Sequence, residues 1–155
     1  MKSNPTVTAP TGGHVYHLRV YYEDTDAGGV VYHANYLRFA ERARTEALRA
    51  LGIPHAEMVE QFALMFVVRR VEIDYLRPAR LDDSLAVVTR AVAVGGASAR
   101  LRQTVLAGDG AELAVAYVDL ACVAPGKSRP RRIPARWRAA LASLLTPDTD
   151  KVATI

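Results

Sequence analysis

Residues 35–54 read NYLRFAERARTEALRALGIP, and the rest of the chain can be assigned around them. Apolar side chains recur at steps of three and four residues, at positions 36, 39, 40, 43, 47, 48 and 51, which places them on one face of an α-helix. Gly52, apolar Ile53 and helix-breaking Pro54 are typical of a helix C-terminus. The pattern predicts one long helix from Asn35 to Leu51.

On both sides of this helix the sequence has the composition of β-strands. Residues 14–22 are rich in aromatic and β-branched side chains. Val71, Ile73 and Tyr75 alternate with charged residues, as expected when one face of a sheet is buried. The stretches downstream of the helix that predict strands are residues 62–76, 85–94, 99–107 and 112–123.

Short glycine-containing connections at 95–96 and 108–110 join the later strands, so we expect these strands to be antiparallel neighbours and the sheet to be a meander. Residues 135–145 are expected to form a short terminal helix. The order of strand, long helix and four strands predicts an α+β domain, in which an antiparallel sheet of five strands packs on one helix.

Length and composition indicate one globular domain. The chain has 155 residues, half of them apolar and 23% charged. We expect residues 1–13 to be a flexible arm, 14–145 the domain and 146–155 a flexible tail. The single cysteine, Cys122, lies in an apolar strand and is expected in the core. With no signal sequence, no internal disulfide and no membrane span expected, the predicted location is cytoplasmic.

The net charge of +4 comes almost entirely from arginine, the side chain best suited to phosphate contacts. A basic nucleic-acid or membrane-surface protein is one interpretation, but a stacking-aromatic motif and a long basic amphipathic helix are both missing from the sequence. The cluster of basic residues at 127–138 is interpreted either as a solvated tail or as a contact for coenzyme A phosphates or an acidic partner. Equally plausible phosphate contacts on the predicted sheet are Arg69, Arg70, Arg77, Arg100 and Arg102.

Residues 21–36, YYEDTDAGGVVYHANY, are the candidate site, although an acidic, glycine-containing loop before a helix is also typical of an ordinary turn and cap. Three carboxylates precede two glycines and the start of the long helix, whose N-terminus presents unpaired N–H groups with partial positive charge. A thioester needs such a combination, because a carboxylate attacks its carbonyl or activates a water while donors stabilise the oxyanion. Asp24 and Glu23 are expected to be turn residues or contacts to backbone N–H groups.

This run, continued by ERARTE at residues 41–46, resembles the signature of the Tol-Pal-associated, YbgC-like acyl-CoA thioesterases. They belong with the 4-hydroxybenzoyl-CoA thioesterase-like hotdog proteins, and the likeness at the level of the fold extends from His14 to Val123. The resemblance implies a hotdog fold with an antiparallel sheet wrapped around the long helix. It also implies a homodimer or homotetramer with sites at the subunit interface, and an association with the Tol-Pal machinery.

The resemblance carries over to particular residues. The catalytic aspartate of the family falls on Asp26, its motif tyrosine on Tyr22 and its motif histidine on His33, where its carbonyl-polarising backbone N–H also lies. Family members vary between small residues at the position of Asn35, whose side chain is therefore expected to be only a helix cap.

The expected activity is hydrolysis of acyl-CoA without a cofactor or a metal. His14 and His17 would lie on opposite faces of a strand and cannot share a metal, and His55 is placed in a loop without a partner. The alternative is a non-catalytic hotdog module that binds acyl-CoA or acyl carrier protein. Acyl chain length is not readable from the sequence.

Overall fold

The computed structural model describes residues 13–146 of the chain. The expected flexible arm and tail therefore lie outside the described residues, apart from Gly13 and Thr146. The strands are β1 (His14–Arg19), β2 (Met65–Tyr75), β3 (Ser84–Val94), β4 (Ser98–Ala107) and β5 (Glu112–Val123), and the helices are α1 (Asn35–Ala50), α2 (His55–Phe62) and α3 (Ala135–Ser143).

The strands form one antiparallel sheet in the order β1-β3-β4-β5-β2. The predicted meander is confirmed for β3, β4 and β5. It is wrong for β2, which lies on the far edge beside β5 because the connection 76–83 crosses from one side of the sheet to the other. In this connection the N–H of Leu76 donates to Leu113 in β5, while the backbone of Asp82 and Asp83 bonds to Val20 after β1.

The predicted long helix is confirmed as α1. Gly52 has a left-handed φ of +76°, and the N–H of Ile53 returns to the carbonyl of Leu48, as in a glycine-terminated helix. The apolar face of α1 packs in two buried clusters, one with Phe39 and Ala43 and the other with Leu48. The sheet thus wraps around α1.

Buried Gln103 joins α1 to the sheet through polar contacts. Its side-chain amide donates to the carbonyl of Ala40 (2.9 Å) and to the hydroxyl of Thr89 (3.0 Å), and its oxygen accepts from Arg44 (2.9 Å). Desolvation lowers the pKa of Arg44 from its usual value, and the charge of Glu41 opposes this effect. Every polar atom of the Gln103 side chain has a partner, which makes its burial tolerable.

Two local predictions are wrong. The first strand ends at Arg19 and not at Tyr22, because residues 22–24 turn as a short 3-10 helix. His55 does not lie in a loop. It begins α2, and its Nε2 accepts the backbone N–H of Phe66 (3.2 Å) at the start of β2.

The predicted terminal helix is confirmed as α3, which covers one end of the core. Trp137 is fully buried there and meets Phe62 edge-on. Within the basic cluster, Arg136 lies over the Trp137 ring and donates to the carbonyl of Gly52, while Arg138 donates to that of Gly95. These two cations thus attach α3 to neighbouring loops. Cys122 is fully buried, as predicted.

No helix in the stretch from 13 to 146 has the length and apolar character needed to cross a membrane.

Candidate active site

Asp26 lies exposed on a small hairpin between β1 and α1. Thr25 and Val31 form an antiparallel bridge, and the N–H of Asp26 donates to the carbonyl of Val30 (2.9 Å). Gly29 has a φ of +78°, a conformation that favours glycine, and its N–H returns to the Asp26 carbonyl (3.0 Å). The hairpin therefore holds the Asp26 backbone in place and leaves its carboxylate facing solvent.

Within residues 13–146 the Asp26 carboxylate has one donor, the backbone N–H of Gly28 at 2.8 Å from Oδ1. A Cβ at position 28 would come within 3.2 Å of that oxygen. Glycine at this position therefore allows the backbone to approach the carboxylate closely. Oδ2 accepts no hydrogen bond from any residue in 13–146 and is free to act on a ligand.

The start of α1 supplies the donors. Within the described residues, the backbone N–H groups of His33 and Ala34 make no hydrogen bond. They lie at the N-terminus of a 16-residue helix, where the peptide dipoles favour negative charge. The bridge of Thr25 to Val31 brings the base of the Asp26 hairpin to this helix start. The hairpin that carries Asp26 thus leads directly into the helix start, and the joint action of its carboxylate with these donors stays a prediction.

Two buried polar residues connect the hairpin with the helix. Asp24 is 5% exposed and Asn35 6%. The Asp24 carboxylate accepts the Tyr21 N–H at Oδ2 (2.8 Å) and the Asn35 side-chain amide at Oδ1 (2.8 Å). The expected contact of Asp24 to a backbone N–H is confirmed. The expectation that Asn35 caps the helix is wrong, because its side chain binds Asp24 and makes no cap hydrogen bond.

Tyr75, at the end of β2, closes the other side of the helix start. Its hydroxyl donates to the carbonyl of His33 (3.0 Å), and its ring meets His33 and Tyr36 edge-on. Partial desolvation raises the pKa of Tyr75, so the phenol stays protonated and remains a donor. Tyr36 is buried, and its hydroxyl accepts the N–H of Ala79 in the connection between β2 and β3.

The three predicted site residues differ in their position and contacts. Asp26 and His33 lie on either side of the bridge between Thr25 and Val31. Tyr22 is 82% exposed, and within residues 13–146 its side chain makes no hydrogen bond and no ring contact, although its carbonyl accepts hydrogen bonds from Thr25. The sequence does not mark Tyr75 as a site residue. Its alternation with charged residues predicts a buried position on β2, whereas the structure leaves Tyr75 47% exposed, with its hydroxyl at the helix start.

Three of the five arginines predicted as phosphate contacts pair with carboxylates. Arg70 and Arg100 pair with Glu72, Arg100 also pairs with Asp119, and buried Arg102 pairs with Glu112, so their charge is partly compensated. Arg77 is exposed two residues beyond Tyr75, at the same end of β2 as the helix start.

His14 and His17 pair with Thr89 and Ala86, which puts them on opposite faces of the sheet. Among residues 13–146, no three His, Cys, Asp or Glu side chains are grouped to hold a metal.

Known proteins are similar to this chain in sequence and in fold. The model of the thioesterase superfamily matches residues 28–114. The acyl-CoA thioesterase YbgC of Haemophilus influenzae is 46% identical over 132 residues, covering 85% of this chain and 96% of that protein. The acyl-CoA thioester hydrolase YbgC of Escherichia coli is 48% identical over 118 residues, covering 76% and 87%.

Among solved structures, a probable thioesterase from Bartonella henselae superposes with a TM-score of 0.74 and 40% sequence identity, covering 79% of this chain and 99% of that one. The expected hotdog fold, a five-stranded antiparallel sheet around a helix, is confirmed. With this fold and these relatives, the chain belongs to the thioesterase superfamily and, within it, to the family of YbgC acyl-CoA thioesterases.

Proposed function

We propose that this enzyme hydrolyses acyl-CoA thioesters at the start of α1, with Asp26 as the catalytic carboxylate. The observation that carries the proposal is the exposed Asp26 carboxylate on the hairpin that leads into a helix N-terminus, whose His33 and Ala34 N–H groups lack acceptors in the described residues. The carbonyl oxygen of a bound thioester would accept hydrogen bonds from these N–H groups. They would stabilise the negative charge that develops on this oxygen during the attack.

Asp26 acts in one of two ways. As a general base, it takes a proton from water while the water oxygen attacks the thioester carbon. As a nucleophile, its oxygen forms a mixed anhydride that water then cleaves. In both cases the carbon–sulfur bond breaks and coenzyme A leaves as a thiolate, which with a thiol pKa of ~8.5 needs little assistance from an acid. A single turnover in ¹⁸O-water can identify the nucleophilic route. Direct attack by water puts the label in the first product molecule, whereas cleavage of the anhydride at the aspartyl carbon puts it in the Asp26 carboxylate.

Support for acyl-CoA as substrate comes from the relatives named above. The arginine-rich surface, with Arg77 near the helix start, suits the phosphates of coenzyme A. Acyl carrier protein presents the same thioester and is a second candidate for the acyl donor.

We also infer that the active unit contains at least two copies of the chain. β2 pairs with β5 on one side only, and its other edge is open within the described residues. An open strand edge is a template for pairing with another chain. Exposed Val68 and Tyr75 lie on this strand, and Tyr75 contacts His33. A second copy paired here would therefore cover the site.

The test is the release of free thiol from an acyl-CoA panel by the enzyme and by Asp26→Asn. The substitution keeps size and hydrogen bonding but removes the charge that attacks or activates water. We expect turnover to fall on the order of 10³-fold or more, roughly 4 kcal/mol of transition-state stabilisation. Retention of more than about a tenth of wild-type turnover would exclude Asp26 as the catalytic carboxylate.

Acyl-CoA binding without any thiol release by the wild type would indicate a non-catalytic module. Activity that a chelator abolishes and zinc restores would also contradict the proposal.

A further inference from the structure

Asp24 is a buried carboxylate that the proposed chemistry does not use. Burying a charged group is costly unless hydrogen bonds replace its water. Both of its oxygens have a donor at 2.8 Å, the backbone N–H of Tyr21 and the side-chain amide of Asn35. Its main chain adds two more bonds, because its N–H donates to the Tyr21 carbonyl and its carbonyl accepts the N–H of Tyr32. One residue therefore connects the chain before the hairpin with the chain after it.

The Asn35 end of this contact fixes the peptide unit that carries the His33 N–H. The backbone N–H of Asn35 donates to the carbonyl of Tyr32 at 2.8 Å. The Tyr32 carbonyl and the His33 N–H belong to the same planar peptide unit, so the orientation of one sets that of the other. The N–H of Tyr32, on the preceding peptide, is held by Asp24 at 2.9 Å.

The Asp24 end fixes the hairpin that carries Asp26. Thr25, the next residue, pairs with Val31 in the hairpin bridge, and Asp26 follows it directly. A shift of Asp24 relative to Asn35 therefore moves the Asp26 carboxylate relative to the His33 N–H. Because both groups must contact one thioester, a small misplacement reduces the rate without removing either group.

We propose that Asp24 and Asn35 form a positioning pair, which sets the Asp26 carboxylate and the His33 N–H at the separation that the thioester requires. The proposal rests on the function assigned above to Asp26. It gives Asp24 no contact with substrate, and it predicts that the identity of each residue matters less than the hydrogen bond between them.

The first experiment measures kcat and KM of Asp24→Asn and of Asn35→Asp. In Asp24→Asn an amide N–H₂ faces either the Asn35 amide or the Tyr21 N–H, and in Asn35→Asp a second carboxylate faces Asp24. Each change leaves a buried polar group unsatisfied. We expect kcat to fall about 10-fold to 100-fold with KM within about threefold, because alignment for the transition state is lost while the binding surface remains.

The second experiment combines the two changes. With Asp24→Asn and Asn35→Asp together, the amide oxygen at position 24 accepts the Tyr21 N–H, and its N–H₂ donates to the carboxylate at position 35. The hydrogen bond is restored in reversed polarity. We expect kcat to recover at least about tenfold over the worse single variant, a coupling that contacting residues show and independent ones do not.

Controls separate positioning from folding. Asp109 also accepts one backbone N–H, that of Ala111, in the exposed turn between β4 and β5, so Asp109→Asn should leave kcat unchanged. Each variant is titrated for its folded fraction by circular dichroism. If Asp24→Asn does not fold, Asn35→Ala removes one donor, keeps the Tyr21 contact and gives the same readout.

Wild-type kcat per folded molecule in either single variant would overturn the proposal, and so would a folded double variant without recovery. Asp26→Asn, measured alongside, separates the two hypotheses. If it is inactive while the single variants at 24 and 35 are normal, only the positioning pair is wrong. If it is active, the assignment of Asp26 itself fails.

Discussion

The imidazole of His33 and its backbone N–H have separable roles. His33→Ala removes the ring, which packs against Tyr32 and Tyr75, but retains the N–H at the helix start. We expect kcat to fall by roughly 10-fold to 100-fold, less than in Asp26→Asn, because an orienting side chain is lost while the backbone donor stays. Steady-state kinetics on both variants check this order. A greater loss in His33→Ala than in Asp26→Asn would assign the main chemical role to the imidazole.

The Tyr75 hydroxyl holds the carbonyl of His33, and that carbonyl shares a peptide plane with the Ala34 N–H. Tyr75→Phe removes this hydrogen bond and keeps the ring contacts with His33 and Tyr36. A neutral hydrogen bond contributes about 0.5–1.5 kcal/mol, so we expect kcat to fall by about 2-fold to 12-fold with KM little changed. Tyr117→Phe, on the opposite face of the sheet, is the matched control. Equal effects of the two changes would show that Tyr75 is no more than a packing residue.

At the residue scale the sequence marks Asp26 and His33 as candidate site residues by their motif and by the helix start that follows, and their roles stay predictions. The sequence does not predict how the neighbouring residues connect. The contact of Asp24 with Asn35 spans 11 residues and depends on how the hairpin folds back onto α1. A pattern of residue types does not contain that geometry, so Asn35 was interpreted as a cap.

Among the elements, α2 is a helix that is too short to be predicted from the periodicity of its apolar residues. It has only 8 residues and buries one of them fully, Met58. Pro54 fits the end of the preceding helix and equally the start of a new one, since proline is favoured at helix N-termini. The strands β3 to β5 and the helix α1 are longer, and their periods of two and 3.6 residues identify them from the sequence alone.

The contact between α2 and β2 should respond to pH. Burial lowers the pKa of His55 below its usual value of 6.5, and its Nε2 accepts the Phe66 N–H only when unprotonated. The unfolded chain therefore binds this proton more readily than the folded chain does. The stabilising contribution is complete above pH 6.5 and is lost as the pH falls towards the lowered pKa of the folded protein.

His55→Gln tests this dependence. A glutamine oxygen can accept the same N–H but does not titrate, so the Tm of the variant should fall less than that of the wild type between pH 7.5 and pH 5. Thermal unfolding followed by circular dichroism measures the difference. Parallel Tm curves for the two proteins over this range would rule out His55 as the source.

For the whole molecule, the strand order follows from long-range packing that the sequence pattern does not specify. Each strand could be assigned separately, and the two glycine-containing connections identify β3, β4 and β5 as neighbours. The placement of β2 beside β5 depends on a connection that crosses to the other side of the sheet, and its length alone is compatible with a hairpin to β3. The open edge of β2, and with it the expected subunit contact, is visible only once that order is known.

A charge on this edge strand should separate the subunits. Val68→Lys places a cation on an exposed apolar position of β2, and Val59→Lys does so at a similarly exposed position on α2. We expect Val68→Lys to sediment as a monomer at micromolar concentration and to lose at least about tenfold in turnover, because charge at a buried interface is costly to desolvate. Val59→Lys should do neither. A fully active wild-type monomer would contradict the two-copy model.

The connection between β2 and β3 has a consequence for how the enzyme matures. It bonds to the hairpin that carries Asp26, since the N–H of Val31 donates to the carbonyl of Ala79, and Val30 bridges Arg80. These contacts join parts of the chain about 50 residues apart, so they carry a loop-closure cost and form slowly compared with a local helix. A chain emerging from the ribosome can form α1 early, but the proposed site is complete only after β2 and the connection that follows it have been synthesised and docked. If Asp26 acts as proposed, catalytic competence is therefore a late event in folding, and an unfinished chain would not hydrolyse the acyl-CoA pool around it.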